Sequence, residues 1–272
     1  SMAPLTLALL AITAATTATP VPPDGTATPL VVSLDMAPGS FDDHYRGCGR
    51  AMAAALLALN RSEFQPGGHL AEAWGLAAAE WRVRTSPGSP RSPLSPAQAT
   101  ALLAYTAPVQ LHRAFNAAVR AAGRSRQEYR DGFPFKALHF LLTDALGTLR
   151  DAQGPRCHRV FRGVRGVRFR ARRGDTVRFG HFASASLRNE SSWGFGTDTV
   201  FQVRTCQGVA IREFSFFPHE DEVLIPPFET FQVTNVVTRD GDKAQIWLQS
   251  TGTFSKYNCE WLTGDTVGTT WG

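Results

Sequence analysis

Midway along the chain the spacing of apolar residues changes period, and that change limits the fold more than any single motif does. From Asp42 to about Arg150 apolar side chains recur at helical spacing, whereas from Val160 onward they alternate residue by residue. A sequence that keeps one period for half its length and then keeps the other places helices first and sheet second, which is the α+β class.

The helical half divides at its own punctuation. "DDHYRGCGRAMAAALLALN" offers Asp42 or Asp43 as a cap and ends near "PGG", and "HLAEAWGLAAAEWRVR" follows it. The prolines of "TSPGSPRSPLSP" forbid regular structure. Ser95-Pro96 then supplies an N-cap and a first-turn proline for "AQATALLAYT", "VQLHRAFNAAVRAAG" closes at Gly123, and "FKALHFLLTDALGTLRDA" is the last helix. In the second half, Val, Phe, Ile and Thr at period two are broken by "RRGD", "QG" and "RDGD", a pattern of antiparallel strands and turns. The expected boundaries are a helical part over 28–153 and a β-rich part over 154–272, with the strand ends facing the cleft between them as the place to look for a site.

Composition narrows the class. The 272 residues are 43% hydrophobic and 19% charged, enough to bury a sizeable core and without a disorder signature. "MAPLTLALLAITAATTATP" is apolar, short and followed by small residues, which suits a signal peptide over 1–18 better than a membrane span; it lacks a basic flank, so a propeptide or a plain apolar start stays open. Cys48, Cys157, Cys206 and Cys259 are far apart and make neither a CxxC nor a Cys–His pair at ligand spacing, which argues against zinc. Their even number beside a signal-like start points to two disulfides, and sequence alone leaves the three pairings open. Asn60 and Asn189 each open a glycosylation sequon, and the C-terminal "GDTVGTTWG" carries no apolar tail of the lipid-anchor kind. The expectation is a secreted or extracellular chain with no membrane span.

The net charge of +5 is concentrated in the arginines between Arg156 and Arg178. Such a cluster suits a polyanion, but because no nucleic-acid motif accompanies it, a β-hairpin with an arginine-rich solvent face is the favoured expectation.

Three groups stand out as chemistry. In "SFFPHEDEVLIPPFE", Glu220 and Glu222 stand one residue apart; on a strand they share a face while Asp221 points away, and two neighbouring carboxylates repel unless something cationic lies between them. A solvated acidic turn is the plainer alternative. Arg162 in "VFRGVRG" presents a guanidinium fork beside Gly163, which lets a ligand approach the backbone. Ser184 and Ser186 in "FGHFASASL" share a strand face and could orient a polar ligand. GxSxG, GxGxxG and Walker signatures are absent, and His139, within the apolar "FKALHFLLT", reads as a hydrogen-bonded core histidine.

Arg162, Ser184 and Glu220-Asp221-Glu222 follow one another on three successive β segments. That order, with "FRGV", "GHFASASL" and "FFPHEDEVLIPPFETFQV", resembles the arginine-serine-Glu-x-Glu signature of the vertebrate arginine-specific ecto-mono-ADP-ribosyltransferases, from "LDMAPGSFDDHYRGC" at Leu34 to "YNCEW" near Trp261. The resemblance implies a helical part packed on a mainly antiparallel β-core that forms an NAD-binding cleft without a Rossmann fingerprint. It implies transfer of one ADP-ribose from NAD, or NADP, to arginine side chains of target proteins or to free arginine-like acceptors; apart from the resemblance, no metal and no nucleic acid is expected, and the chain is expected to be a monomer. Arg162 would anchor the nicotinamide mononucleotide half, with Gly163 near the carboxamide. Ser184 would brace the site, Phe195 would lie against nicotinamide, Glu222 would be the catalytic glutamate and Glu220 would receive the acceptor arginine. The disulfides implied are Cys48–Cys259 and Cys157–Cys206. An NAD glycohydrolase using water, or a silent polyanion-binding module, are the competing functions.

Overall fold

The computed structural model describes residues 28–85, 91–189, 196–239 and 243–263, so the expected signal peptide and Phe195 lie outside the described residues. Helices come first: α1 (Gly49–Glu63), α2 (His69–Arg84), α3 (Pro96–Thr106), α4 (Leu111–Ala122) and α5 (Lys136–Gln153). Ser95 caps α3 as the sequence indicates, in a reciprocal capping box with Gln98 and with proline in the first turn. No helix among the described residues is long and apolar enough to cross a membrane.

The strands are β1 (Leu30–Ser33), β2 (His158–Val164), β3 (Val167–Arg170), β4 (Thr176–Val177), β5 (Ala183–Ser186), β6 (Thr199–Thr205), β7 (Val209–Ala210), β8 (Glu222–Ile225), β9 (Glu229–Arg239) and β10 (Lys243–Thr253). Eight of them form one sheet in the order β4-β9-β10-β6-β2-β5-β8-β7. Its neighbours run antiparallel except β6 and β10, which are parallel with Ala244 opposite Thr199. β1 and β3 make a separate parallel pair, so the arginine-rich stretch after Cys157 is not a hairpin: β2 enters the large sheet and β3 leaves it for β1.

One core lies between helices and sheet. Leu102, Phe115 and Phe140 from the helices meet Phe182, Ile211 and Leu224 from the sheet side. A second cluster, with Val160, Phe179, Phe201, Phe231 and Ile246, covers other strand positions. Tyr105 and Asn116 fasten the layers, the tyrosine hydroxyl and the amide both donating to the Phe182 carbonyl at 2.8 and 3.0 Å. His139 is fully buried, with Nδ1 2.8 Å from the Tyr45 hydroxyl and Nε2 3.1 Å from the Phe41 carbonyl, the satisfied core histidine read from the sequence.

Asp42 and Asp43 do not cap α1, which starts only at Gly49. Both are buried instead, because they join the segment before α1 to the residues that follow Thr253. Asp43 accepts from the Cys259 and Glu260 amides, each at 2.8 Å, at the start of the last helical turn, Glu260–Thr263. Asp42 meets Arg178 at 2.6 Å. Cys48–Cys259 ties the same two segments covalently, and Cys157–Cys206 joins the outer ends of β2 and β6, both as the family resemblance implies.

Candidate active site

The site lies where the sheet stops being a continuous ladder. β2 pairs with β6 over seven residues but with β5 at one position, Phe161 opposite Ser186, so the strands part where Arg162 and Gly163 follow. The carbonyl of Ser184, on the diverging part of β5, accepts a 2.6 Å hydrogen bond from Nη1 of Arg162. A side chain from one strand thus bridges the gap to the next, where its guanidinium also lies 6.0 Å from the Phe179 ring centre.

The split holds a small cleft that is partly open to solvent. Arg162, Gly163, Ser184, Glu220 and Glu222 all line it, together with Phe161, Ala185 and Ser186. Five of the six residues to which the family resemblance gives a role therefore meet at one place, with Ser186 beside them; the sixth, Phe195, is outside the described residues.

The two glutamates arrive by a route that strand alternation does not foresee. Pro218–Glu220 is a turn of 3-10 helix, and only Glu222 begins β8. Asp221 between them is left-handed, with φ of 46°, a conformation that aspartate tolerates better than most residues. That one residue turns the chain so that both flanking carboxylates face the cleft. Asp221 itself points elsewhere, onto Arg188 and Arg212.

Glu222 is 6% exposed. Burial pushes its carboxyl up to about 7, and the Glu220 charge pushes the same way; the hydroxyls of Ser184 and Ser215 and the Arg162 guanidinium draw it back only in part. Ser215 Oγ donates to Glu222 Oε2 at 3.3 Å. Glu220 is half-buried at the mouth, and its carboxyl is raised by burial, with His219 opposing the shift. A buried carboxylate that few donors satisfy is poised to receive positive charge, and a second one at the rim can meet a cation arriving from solvent.

Sequence reasoning missed Ser215, which lies seven residues before Glu222 in a segment without regular period, and Phe161, whose position on the cleft follows only once β2 and β5 are known to part. It also missed Glu229, just past "LIPPF". Its fully buried carboxylate accepts from the Cys206 and Gln207 amides at 2.7 and 3.0 Å and from the hydroxyls of Thr205 and Ser250. Four donors make it a structural anchor behind the Cys157–Cys206 disulfide.

Known proteins place this geometry. A model of the family described as NAD:arginine ADP-ribosyltransferase matches residues 34–256. The rabbit (Oryctolagus cuniculus) GPI-linked NAD(P)(+)--arginine ADP-ribosyltransferase 1 is 54% identical over 242 residues, 84% of this chain and 74% of its own length. The chicken (Gallus gallus) NAD(P)(+)--arginine ADP-ribosyltransferase 2 is 52% identical over 86% of this chain and 74% of its own. Among solved structures, the eucaryotic mono-ADP-ribosyltransferase ART2.2 superposes with a TM-score of 0.72 at 36% identity, covering 85% of this chain and 99% of that one. A mutant of the same enzyme, crystallised in complex with NAD, matches equally well. With the family signature running almost from end to end and the parted sheet carrying it, this chain belongs to the NAD:arginine ADP-ribosyltransferase family.

Proposed function

We propose that the chain transfers a single ADP-ribose from NAD or NADP to arginine side chains of target proteins, releasing nicotinamide, and that Arg162, Ser184, Glu220 and Glu222 carry the reaction. The observation behind this reading is that one cleft joins a guanidinium, a buried carboxylate raised to about 7 and a second carboxylate at the mouth. In this reading the nicotinamide-ribose end of the dinucleotide meets the cleft residues and the remainder lies along the open side. Two described residues support that guest: Arg162 carries donors suited to a phosphate, and Gly163 leaves backbone accessible beside it.

Glu222 supplies negative charge next to the ribose carbon as its bond to nicotinamide breaks, stabilising charge that is larger in the transition state than in the bound substrate. Ser184 fixes the carboxylate through its hydroxyl. Glu220 orients the acceptor guanidinium and takes the proton that nitrogen must lose to form the new carbon–nitrogen bond. Exposed Asn60 and Asn189 at the sequons and the two disulfides support action outside the cell, and the reading takes the chain as a monomer.

The test separates the two acids. Glu222→Gln loses nicotinamide release with and without an acceptor by about two orders of magnitude, while Glu220→Gln keeps release into water and loses transfer to agmatine. Equal loss of both activities in both variants would refute the division of roles. Wild-type release of nicotinamide that ignores agmatine would instead make water the acceptor.

A further inference from the structure

The residue between the two glutamates has its own set of partners. Asp221 Oδ2 lies 2.6 Å from Arg188 Nε, and Oδ1 lies 3.1 Å from Arg212 Nη1, so one carboxylate joins the segment after β5 to the loop before the Glu220 turn. Backbone bonds lock the same three residues to the same two segments. The Glu220 carbonyl accepts from Ser186 Oγ at 2.6 Å, the Asp221 carbonyl from the Leu187 amide at 3.1 Å, and the Glu222 carbonyl from the Ile211 amide at 3.0 Å. Ser186 Oγ in turn accepts from the Arg188 amide at 3.0 Å, so the arginine that grips Asp221 is placed by the serine that grips Glu220.

The two sides of this arrangement differ in rigidity. Glu222 sits on β8, paired with β5 and β7 and buried. Glu220 sits on a single turn of 3-10 helix, half-exposed, and reaches β8 only through the left-handed Asp221. Rotation about Asp221 moves Glu220 and leaves Glu222 where it is. A left-handed non-glycine residue has more comfortable alternatives, so its conformation persists only where its surroundings hold it.

We propose that the Arg188–Asp221–Arg212 clamp is a positioning device for Glu220, one that sets how well the enzyme uses arginine as acceptor without setting how well it cleaves NAD. This rests on the division of roles between Glu220 and Glu222 proposed above. Each ion pair alone is partly solvated and weak, Asp221 being 15% exposed and both arginines well exposed. Two arginines on one carboxylate, together with two backbone bonds and the Ser186 hydroxyl, fix the direction in which the neighbouring acid points, and misplacement of a reacting group by about 1 Å is enough for a hundredfold loss.

The experiment compares transfer to agmatine with release of nicotinamide into water, on the full chain. Asp221→Ala lowers transfer by about tenfold or more and leaves release and the KM for NAD within about twofold. Asp221→Gly, which restores backbone freedom without the carboxylate, behaves like Asp221→Ala. Arg188→Gln with Arg212→Gln reproduces the change in the ratio, and combining both with Asp221→Ala adds nothing further, because all three act through one contact. A ratio that stays at the wild-type value in Asp221→Ala, or transfer and release that fall together, overturns the proposal. If wild-type enzyme modifies agmatine but Glu220→Gln does so equally, the underlying assignment of Glu220 fails, a result distinct from failure of the clamp.

Discussion

Two buried carboxylates of this molecule feel an arginine, Asp42 in direct contact with Arg178 and Glu222 through the field of Arg162, and their surroundings are completed differently. Arg178 and Asp42 are both fully buried, 2.6 Å apart, and each guanidinium nitrogen has an acceptor: Nε donates to the Met36 carbonyl, Nη1 to Asp42 and the Phe254 carbonyl and Nη2 to the Ala37 carbonyl, while Asp42 Oδ1 accepts from the Lys256 amide. At the cleft, Nη1 of Arg162 has a carbonyl oxygen against it, and Glu222 has hydroxyls. The first arrangement spends its charge on joining the segment before α1 to the residues that follow Thr253. The second leaves Glu222 with hydroxyl donors and, among the described residues, no contacting cation, which costs stability once the carboxyl ionises and in the proposed reading suits it to a cationic partner.

The sharpest way to break that contrast is to empty one side of the finished pair. Arg178→Met leaves Asp42 buried without its cation and is expected to cost about 3–5 kcal/mol, read from the urea midpoint. Adding Asp42→Asn keeps an acceptor for the Lys256 amide and removes the stranded charge, so the double variant is expected to be more stable than Arg178→Met alone. If it is less stable, Asp42 contributes through something other than its pairing with Arg178.

At the cleft the same operation has the opposite sign. A carboxyl raised from 4.5 to about 7 binds its proton more tightly in the folded chain than in the unfolded one, so folding stability falls as pH rises through that window and stays lower above it. Glu222→Gln removes this penalty. At about pH 8 it is expected to raise stability, by at most on the order of 3 kcal/mol, while costing about two orders of magnitude in rate. At about pH 4, where Glu222 is protonated in both states, the gain is expected to vanish. A variant no more stable than wild type at the higher pH would place Glu222 among the satisfied carboxylates.

The contrast also marks what the sequence could reveal. Arg162, Ser184 and Glu222 each sit on a strand whose period is local, so their order along the chain already puts them on strands that prove adjacent, β2, β5 and β8. The capping of α3 and the closure of α4 at Gly123 are local as well. What local pattern cannot carry is pairing across distance. Asp42 looked like a helix cap because its partner is 136 residues away, and Arg178 looked like one more surface arginine for the same reason. The parallel pairing of β6 with β10 and of β1 with β3 depends on tertiary order, not on alternation. Alternation predicts that Glu220 and Glu222 face one side, and both do line one cleft, but a left-handed aspartate produces this and strand geometry does not.

The smallest effect is the most specific probe of the unfinished site. Ser215 is fully buried, donates weakly to Glu222 at 3.3 Å and accepts from the Phe217 amide at 3.0 Å. Its hydroxyl favours the ionised carboxylate, so Ser215→Ala raises the Glu222 carboxyl further above 7 and moves the acid limb of kcat/KM for NAD to higher pH, by less than about one unit. The plateau rate above the limb changes little, because Ser184 still braces the carboxylate. Stability splits in a matching way: at low pH the variant loses only the bond to Phe217, about 1 kcal/mol, and the deficit grows as pH rises, since ionised Glu222 has lost a donor that the protonated form did not need. A deficit that is the same at both ends of the range, with an unmoved acid limb, would mean that Ser215 supports the loop alone and that Ser184 sets the charge of Glu222 without help.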